Sequence, residues 1–238
     1  MEHKAFFNWS SGKDSALALY QLRLDGNPDP GLLLTTISGK YQRISMHGLR
    51  RSLLEAQANA LGIPLEVIEL PENPSMEDYR RKMDVEMRAL KEKGFATTYF
   101  GDIFLEDLKT YRENMLFPLG FEVRFPIWKE DTRTLLLRFI EKGFKAIVVS
   151  VNANLLDKSF CGRLLDHSFL GDLPPNVDPC GENGEFHTFC FDGPIFQYPL
   201  LYEKGELVYN TYPAPRGNDG KAKPDYGFWF CDLHPKKY

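Results

Sequence analysis

Two short stretches carry residue types and spacings suited to chemistry. In the first, Ser10-Ser11-Gly12-Lys13-Asp14-Ser15 stands directly after a strand-like run and opens a helix-like one. Gly12 lets backbone approach a ligand closely, and Ser10, Ser11 and Ser15 leave room for anionic oxygens. Lys13 supplies a positive charge, and the following helix aims free N–H groups and its positive dipole end at the same point. That combination makes a cradle for pyrophosphate. The competing account is a plain helix start, capped by Asp14 or Ser11. It is not the GxxxxGK[ST] phosphate loop, because Phe7 and Asp14 occupy two of the positions that pattern fixes.

The second stretch is Cys180-Gly181-Glu182-Asn183-Gly184-Glu185-Phe186-His187-Thr188. It places two carboxylates three positions apart in a turn that its glycines free to bend toward a ligand. Glu182 and Glu185 are suited to orienting a substrate or taking up a proton, with His187 beside them. Further candidates lie between these stretches. Gly101-Asp102 follows a strand, where ligands of open α/β sheets bind. His47 and Ser38 lie past the second strand, where a nucleotide's adenine or ribose would approach. Arg112 is either a phosphate neutraliser or half of a surface ion pair. Trp128, His3, His167 and His234 are expected in packing or solvent-facing roles.

The elements that must position these residues follow from periodicity. Strands are expected over residues 4–9, 32–37, 65–70 and 97–100, separated by helices over 14–24, 49–61 and 76–93. Gly62 followed by Pro64 closes the second helix. A helix over 106–119, an extended run over 122–125, a helix over 133–142 and a strand over 146–151 continue the pattern. Alternating strands and helices build a doubly wound parallel sheet, here an ATP-binding domain over residues 1–151. A smaller α+β, substrate-binding region over residues 152–238 follows. In it, residues 155–169 are expected to be helical, residues 171–184 a Gly- and Pro-rich loop, and 186–191, 206–209 and 227–233 short antiparallel strands. Phe228, Trp229 and Phe230 should close a core or a subunit contact, the latter making a homodimer.

Bulk composition narrows the class. The 238 residues carry 29 basic and 33 acidic side chains, a formal net charge of -4, so nothing draws the whole molecule to nucleic acid or anionic membrane. No apolar run approaches a membrane span, and the N-terminus enters a strand without a signal-like core, so a cytoplasmic location is expected. The four cysteines, Cys161, Cys180, Cys190 and Cys231, form no C-x-x-C pair and read as buried thiols.

The run Asn8-Trp9-Ser10-Ser11-Gly12-Lys13-Asp14-Ser15-Ala16 resembles the PP-loop of N-type ATP pyrophosphatases. Gly101-Asp102-Ile103, Tyr111-Arg112-Glu113, Pro126-Ile127-Trp128 and Gly181-Glu182-Asn183-Gly184-Glu185-Phe186 follow in the order seen in the diphthine ammonia ligase (diphthamide synthase-like) family, which the chain resembles over residues 4–196. That resemblance implies a HUP-type (adenine nucleotide alpha hydrolase-like) fold. It also implies an AMP-producing ligase using ATP, Mg2+ and ammonia to amidate a carboxylate. Ser10, Ser11, Gly12, Lys13 and Ser15 would hold pyrophosphate, with Ser38, His47 and Gly101 also on the nucleotide. Asp14 and Asp102 would serve magnesium, and Asp14, Glu182, Glu185 and His187 the chemistry. The chain departs from the E-G-G-E-[FY]-E-[TS] pattern of diphthamide-making members, with Asn183 in place of a glycine and His187 in place of an acid. The ATP chemistry stands apart from that departure, whereas the acceptor carboxylate does not. A non-catalytic ATP or AMP sensor and a PP-loop tRNA-modifying enzyme are the competing functions.

Overall fold

A computed structural model describes residues 4–44, 47–72, 74–212 and 226–236. Ser45, Met46 and His3 lie outside the described residues. The first strand, β1 (Lys4–Asn8), is central, pairing in parallel with β2 (Leu32–Ser38) on one side and with β5 (Phe95–Tyr99) on the other. Phe6 and Phe7 point to opposite faces and both are fully buried, which is why β1 reads as an apolar run rather than an alternating one. Beyond β2 lies β4 (Leu65–Leu70), and beyond β5 lies β6 (Glu122–Arg124), both parallel. The two-residue β3 (Arg43–Ile44) adds antiparallel to the end of β2.

Helices cover both faces, the doubly wound arrangement expected. Helices α1 (Lys13–Leu24) and α2 (Arg51–Leu61) pack with Phe7, Leu33 and Ile37. Helix α3 (Met76–Glu92) sets Met83, Met87 and Leu90 against Phe6, Leu32 and Leu34. Each has a legible boundary. Ser75 and Asp78 close a capping box at the start of α3, and Gly62 ends α2 in the left-handed conformation. Chain order runs outward from β1 to β2 and β4, then returns to β5 and β6 on the other side. The crevice between β1 and β5 at their carboxyl ends is therefore the switch point where ligands bind.

The strand β7 (Lys145–Asn152) departs from expectation. It does not extend the parallel core but lies in a second, antiparallel sheet of order β8-β7-β10-β9, with β8 (Phe186–Asp192), β9 (Tyr202–Tyr212) and β10 (Tyr226–Pro235). Helices α4 (Glu106–Leu116) and α5 (Thr132–Glu141) precede it. A helix over 155–169 is also not formed. A 3-10 turn at Lys158–Phe160 and the short α6 (His167–Asp172) replace it. The reason is tertiary: the Gly162 N–H donates to Val148, the Val148 N–H to Arg163 and the Leu165 N–H to Ala146. These bonds draw residues 162–165 alongside β7, and pairing with a strand overrides local helix preference. One apolar cluster joins Leu17 and Leu53 of the first layer to Ile147 and Phe189 of the second sheet, fixing the sheets against each other. Phe228 is buried within that sheet, beside Tyr212. No helix among the described residues is long and apolar enough to cross a membrane.

Candidate active site

The loop after β1 is held open by contacts far away in sequence. Ser11 adopts φ 72°, a left-handed conformation costly for a side-chain-bearing residue. Its carbonyl accepts from the Gln57 side-chain amide (2.9 Å) and from the Cys190 N–H (3.0 Å), which hold the turn in place. Gln57 is fully buried on α2, and its oxygen accepts from the Trp9 indole at 2.9 Å. Within the loop the Ser10 N–H donates to the Ser15 hydroxyl, and the two hydroxyls lie 2.8 Å apart. Helix α1 begins at Gly12 with no side-chain cap, so neither Asp14 nor Ser11 serves as the cap. The Lys13 N–H donates to the Thr188 hydroxyl of β8 at 3.0 Å.

Two glycines are demanded by close approach. A Cβ on Gly12 would stand 3.2 Å from the Thr188 hydroxyl, and one on Gly101 would stand 3.0 Å from the backbone of Asp14 and Ser15. Gly101 thus brings the end of β5 onto the first turn of α1. Asp102, nearly buried, is carried to the same crevice and held by Arg112 at 2.9 Å. The Arg112 guanidinium in turn lies 4.2 Å over the Phe100 ring. Arg112 is therefore the partner of Asp102 on the cavity wall, not half of a surface pair.

The second loop is shaped by carboxylates that do not enter the crevice. Asp178 accepts from the N–H groups of Cys180 and Glu182 and from the Thr132 hydroxyl. Glu185 is 2% exposed and accepts from the N–H groups of Asp178 and Asn183 and from the Asn183 side chain. Its expected part in substrate chemistry does not match this setting: both oxygens are engaged in holding the turn. Glu182 is turned the other way, onto the cavity, where one oxygen accepts from the Ile103 N–H at 2.8 Å.

These pieces enclose a cavity of about 260 Å³. It is lined by Ser10, Gly12, Lys13, Asp14 and Ser15 on one side and by Glu182, His187 and Thr188 on another, with Gly101, Asp102, Arg112 and His47 completing it. Ser11 is buried behind the wall, and Glu185 is not part of it. Ser38 lies in a different cavity of about 640 Å³, with Tyr41, Gly48, Tyr212 and Phe230. Trp128 packs against Phe125 beside Lys109, and His234 stands 3.3 Å from Asp232, both away from the crevice.

The electrostatics are tightly coupled. Burial alone would depress the Lys13 ammonium, but Asp14, 2.8 Å away, together with Cys180 and Glu182 offsets it and carries Lys13 above its ordinary value. Burial pushes the Asp14 carboxyl up, against the pull of Lys13. Burial, reinforced by Asp14, raises the Glu182 carboxyl to about 7. The His47 and His187 rings stack 4.5 Å apart. Burial and the nearby Lys13 bring His187 down to about 4, while burial and His187 hold His47 well below the usual imidazole range. The cavity therefore presents two cations, Lys13 and Arg112, three carboxyl groups, Asp14, Asp102 and Glu182, and two imidazoles whose burial disfavours protonation.

Two residues that organise the site escape both motifs. Gln57 left a signal, an amide among Leu53, Leu54, Ala58 and Leu61 on an otherwise apolar helix face. Asp178 left none that local pattern could separate from ordinary loop residues.

Fold and site together define a doubly wound α/β protein with an uncapped helix start lining a cavity at its switch point. Residues 3–122 match the model of the diphthamide synthase N-terminal domain and residues 131–212 that of the C-terminal domain; the chain belongs to the diphthamide synthase family. Among curated relatives, diphthine–ammonia ligase of Homo sapiens is 28% identical over 134 residues, covering 54% of this chain and 50% of that protein. The enzyme of the same name from Danio rerio is 31% identical over 116 residues, 46% of each chain. The chain spans about half the length of these relatives. A solved structure, described as a predicted subunit of tRNA methyltransferase from Methanocaldococcus jannaschii, aligns with a TM-score of 0.42 and 17% identity over 61% of this chain and 80% of that one.

Proposed function

We propose that the protein is an ATP-dependent amide ligase that adenylates a carboxylate, releasing pyrophosphate, and then replaces AMP with ammonia. The observation that carries this is the convergence of the uncapped start of α1 and Glu182 on one cavity. The free N–H groups of that helix start, the Ser10 and Ser15 hydroxyls and Lys13 would hold the leaving pyrophosphate, stabilising charge as it develops. The nucleoside would extend toward Ser38 at the end of β2. Asp14 and Asp102 fit a magnesium ion, which takes one or two carboxylates beside phosphate oxygens and keeps most of its waters. Bound there, it would neutralise phosphate charge. Asp14 and Asp102 are already ordered by Lys13 and Arg112.

Glu182 would orient the acceptor and receive the proton that ammonia loses, a task suited to a carboxyl near 7. The parallel-sheet layer would thus serve ATP, and the second sheet with its 178–188 loop the acceptor. Incubating the protein with ATP, Mg2+, ammonium and a panel of carboxylates tests the proposal. Acceptor-dependent AMP and pyrophosphate are expected, and ADP as the product would overturn it. ATP binding with no pyrophosphate–ATP isotope exchange for any acceptor would instead mark a sensor.

A further inference from the structure

Residues 43–44 and 49–50 form a tight antiparallel pair in which Arg43 stands opposite Arg50. The Ile44 N–H donates to Leu49 and the Gly48 N–H to Ile44, both at 2.9 Å, so His47 and Gly48 are carried at the closed end. Two guanidinium groups facing each other across such a pair repel. Asp232 of β10 bonds both of them. Its Oδ1 accepts from Arg43 at 2.8 Å and from Arg50 at 3.1 Å, while its Oδ2 accepts from Arg50 at 2.6 Å and faces His234 at 3.3 Å. Burial opposes its charge, but the two arginines hold the carboxyl well below the ordinary carboxylate range. Arg43 also donates to the Gly48 carbonyl at 2.6 Å. Gly48 itself, at φ 66°, is seated on β10: a Cβ there would stand 2.8 Å from the Phe230 ring.

This clamped turn is the partition between the two cavities. His47 lines the one of about 260 Å³ at the start of α1, and a Cβ on Gly12 would meet its Cε1 at 3.5 Å. The next residue, Gly48, lines the one of about 640 Å³, as do Arg43, Ile44, Phe230 and Asp232. We propose that Asp232 is a positioning residue for the nucleotide: through Arg43 and Arg50 it fixes this partition, so that the phosphates and the nucleoside of one ATP are bound together. This rests on the nucleotide placement proposed above, with phosphates at the start of α1 and the nucleoside toward Ser38. Both carboxylate oxygens of Asp232 are already engaged, so it acts through the arginines and not on the ligand. The two halves of ATP are joined, and each adds its full binding energy only where the two cavities are preset at the right separation. Without the carboxylate, Arg43 and Arg50 repel, the pair splays and that separation is lost. Inorganic pyrophosphate needs the smaller cavity alone, where the α1 N–H groups, Ser10, Ser15 and Lys13 have no contact with Asp232.

Binding to the full chain is measured by calorimetry with Mg2+ for two probes, inorganic pyrophosphate and a non-hydrolysable ATP analogue. In Asp232→Asn, which keeps the shape but leaves the arginines unneutralised, the ATP analogue should bind about tenfold more weakly while pyrophosphate stays within about twofold of wild type. Turnover should show the same split, a raised KM for ATP at unchanged kcat. Asp232→Glu should recover most of the lost affinity. Adding Arg50→Gln to Asp232→Asn should recover it too, because that removes the repulsion the carboxylate had cancelled. Equal losses for the two probes would mark a general fault in the fold, and unchanged ATP affinity an ion pair without consequence. No recovery in the double variant would mark a direct contact with the nucleotide. Each of these overturns the proposal. A wild-type protein that binds both probes but forms no AMP defeats the ligase function and leaves the positioning role to be decided by the affinity ratio, whereas one that binds neither defeats both.

Discussion

The loop at residues 10–15 and the loop at residues 178–188 face one cavity but are built on opposite plans. The first presents backbone: amides at a helix start, glycines where chains touch, and one left-handed serine pinned from outside. The second presents side chains, and two of its acids, Asp178 and Glu185, are occupied in bending it so that the third, Glu182, faces inward. A backbone site tolerates almost no added volume, whereas a side-chain site tolerates volume but not loss of a hydrogen-bond partner.

The sharpest way to break this contrast is Gly101→Val. Its Cβ would press on the backbone of Asp14 and Ser15 at 3.0 Å, so stability should fall by about 1–3 kcal/mol in urea titration and ATP binding should be lost. Wild-type affinity in that variant would show the loop to be far more pliant than drawn. Next is Gln57→Leu, which strips partners from the Trp9 indole and the Ser11 carbonyl. A cost of about 1–3 kcal/mol is expected, with weaker ATP binding by calorimetry although Gln57 touches no ligand.

Glu182→Gln tests the second loop through pH. A carboxyl raised from 4.5 to about 7 on folding makes the folded state bind more protons, so it contributes stability at low pH that is lost as pH climbs from 4.5 through 7. His187, lowered from 6.5 to about 4, contributes in the opposite sense, with stability lost as pH falls from 6.5 through 4. Removing Glu182 should therefore steepen the rise of stability with pH across that window, read from urea midpoints. An unchanged slope would place the Glu182 carboxyl in ordinary solvent. The smallest effect is expected from Ser38→Ala: its hydroxyl lies outside the phosphate cavity, and ATP affinity should change by less than about 1 kcal/mol.

The same contrast explains what could be read from residue order. The Ser10 to Ser15 loop, the strand before it and the helix after it are contiguous, so their chemistry is written in one place. Glu182 was visible as one of two acids, but which of the pair faces the ligand depends on the Ile103 N–H, seventy-nine positions away. Likewise Ala146 to Val151 looks like a parallel-core strand because it is apolar but for Ser150. Its burial comes instead from β8 and β10 on its edges and from the apolar cluster that joins the two layers. His47 and His187 stand 140 positions apart in the sequence, and only the fold stacks the ring before α2 on the one from β8.

The bond from the Cys190 N–H to the Ser11 carbonyl bears on how relatives of this chain can be recombined. It crosses from the segment matching the C-terminal family domain to the segment matching the N-terminal one, as do the contacts of Thr188 with Lys13 and of Cys190 with Gln57. A hybrid joined between residues 122 and 131 would therefore inherit the loop at residues 10–15 from one parent and the strand that holds it open from the other. Such hybrids should function only where the parent of the first segment supplies Gln57 and the parent of the second supplies Thr188, because those two side chains make the crossing bonds while Ser11 and Cys190 contribute backbone atoms alone.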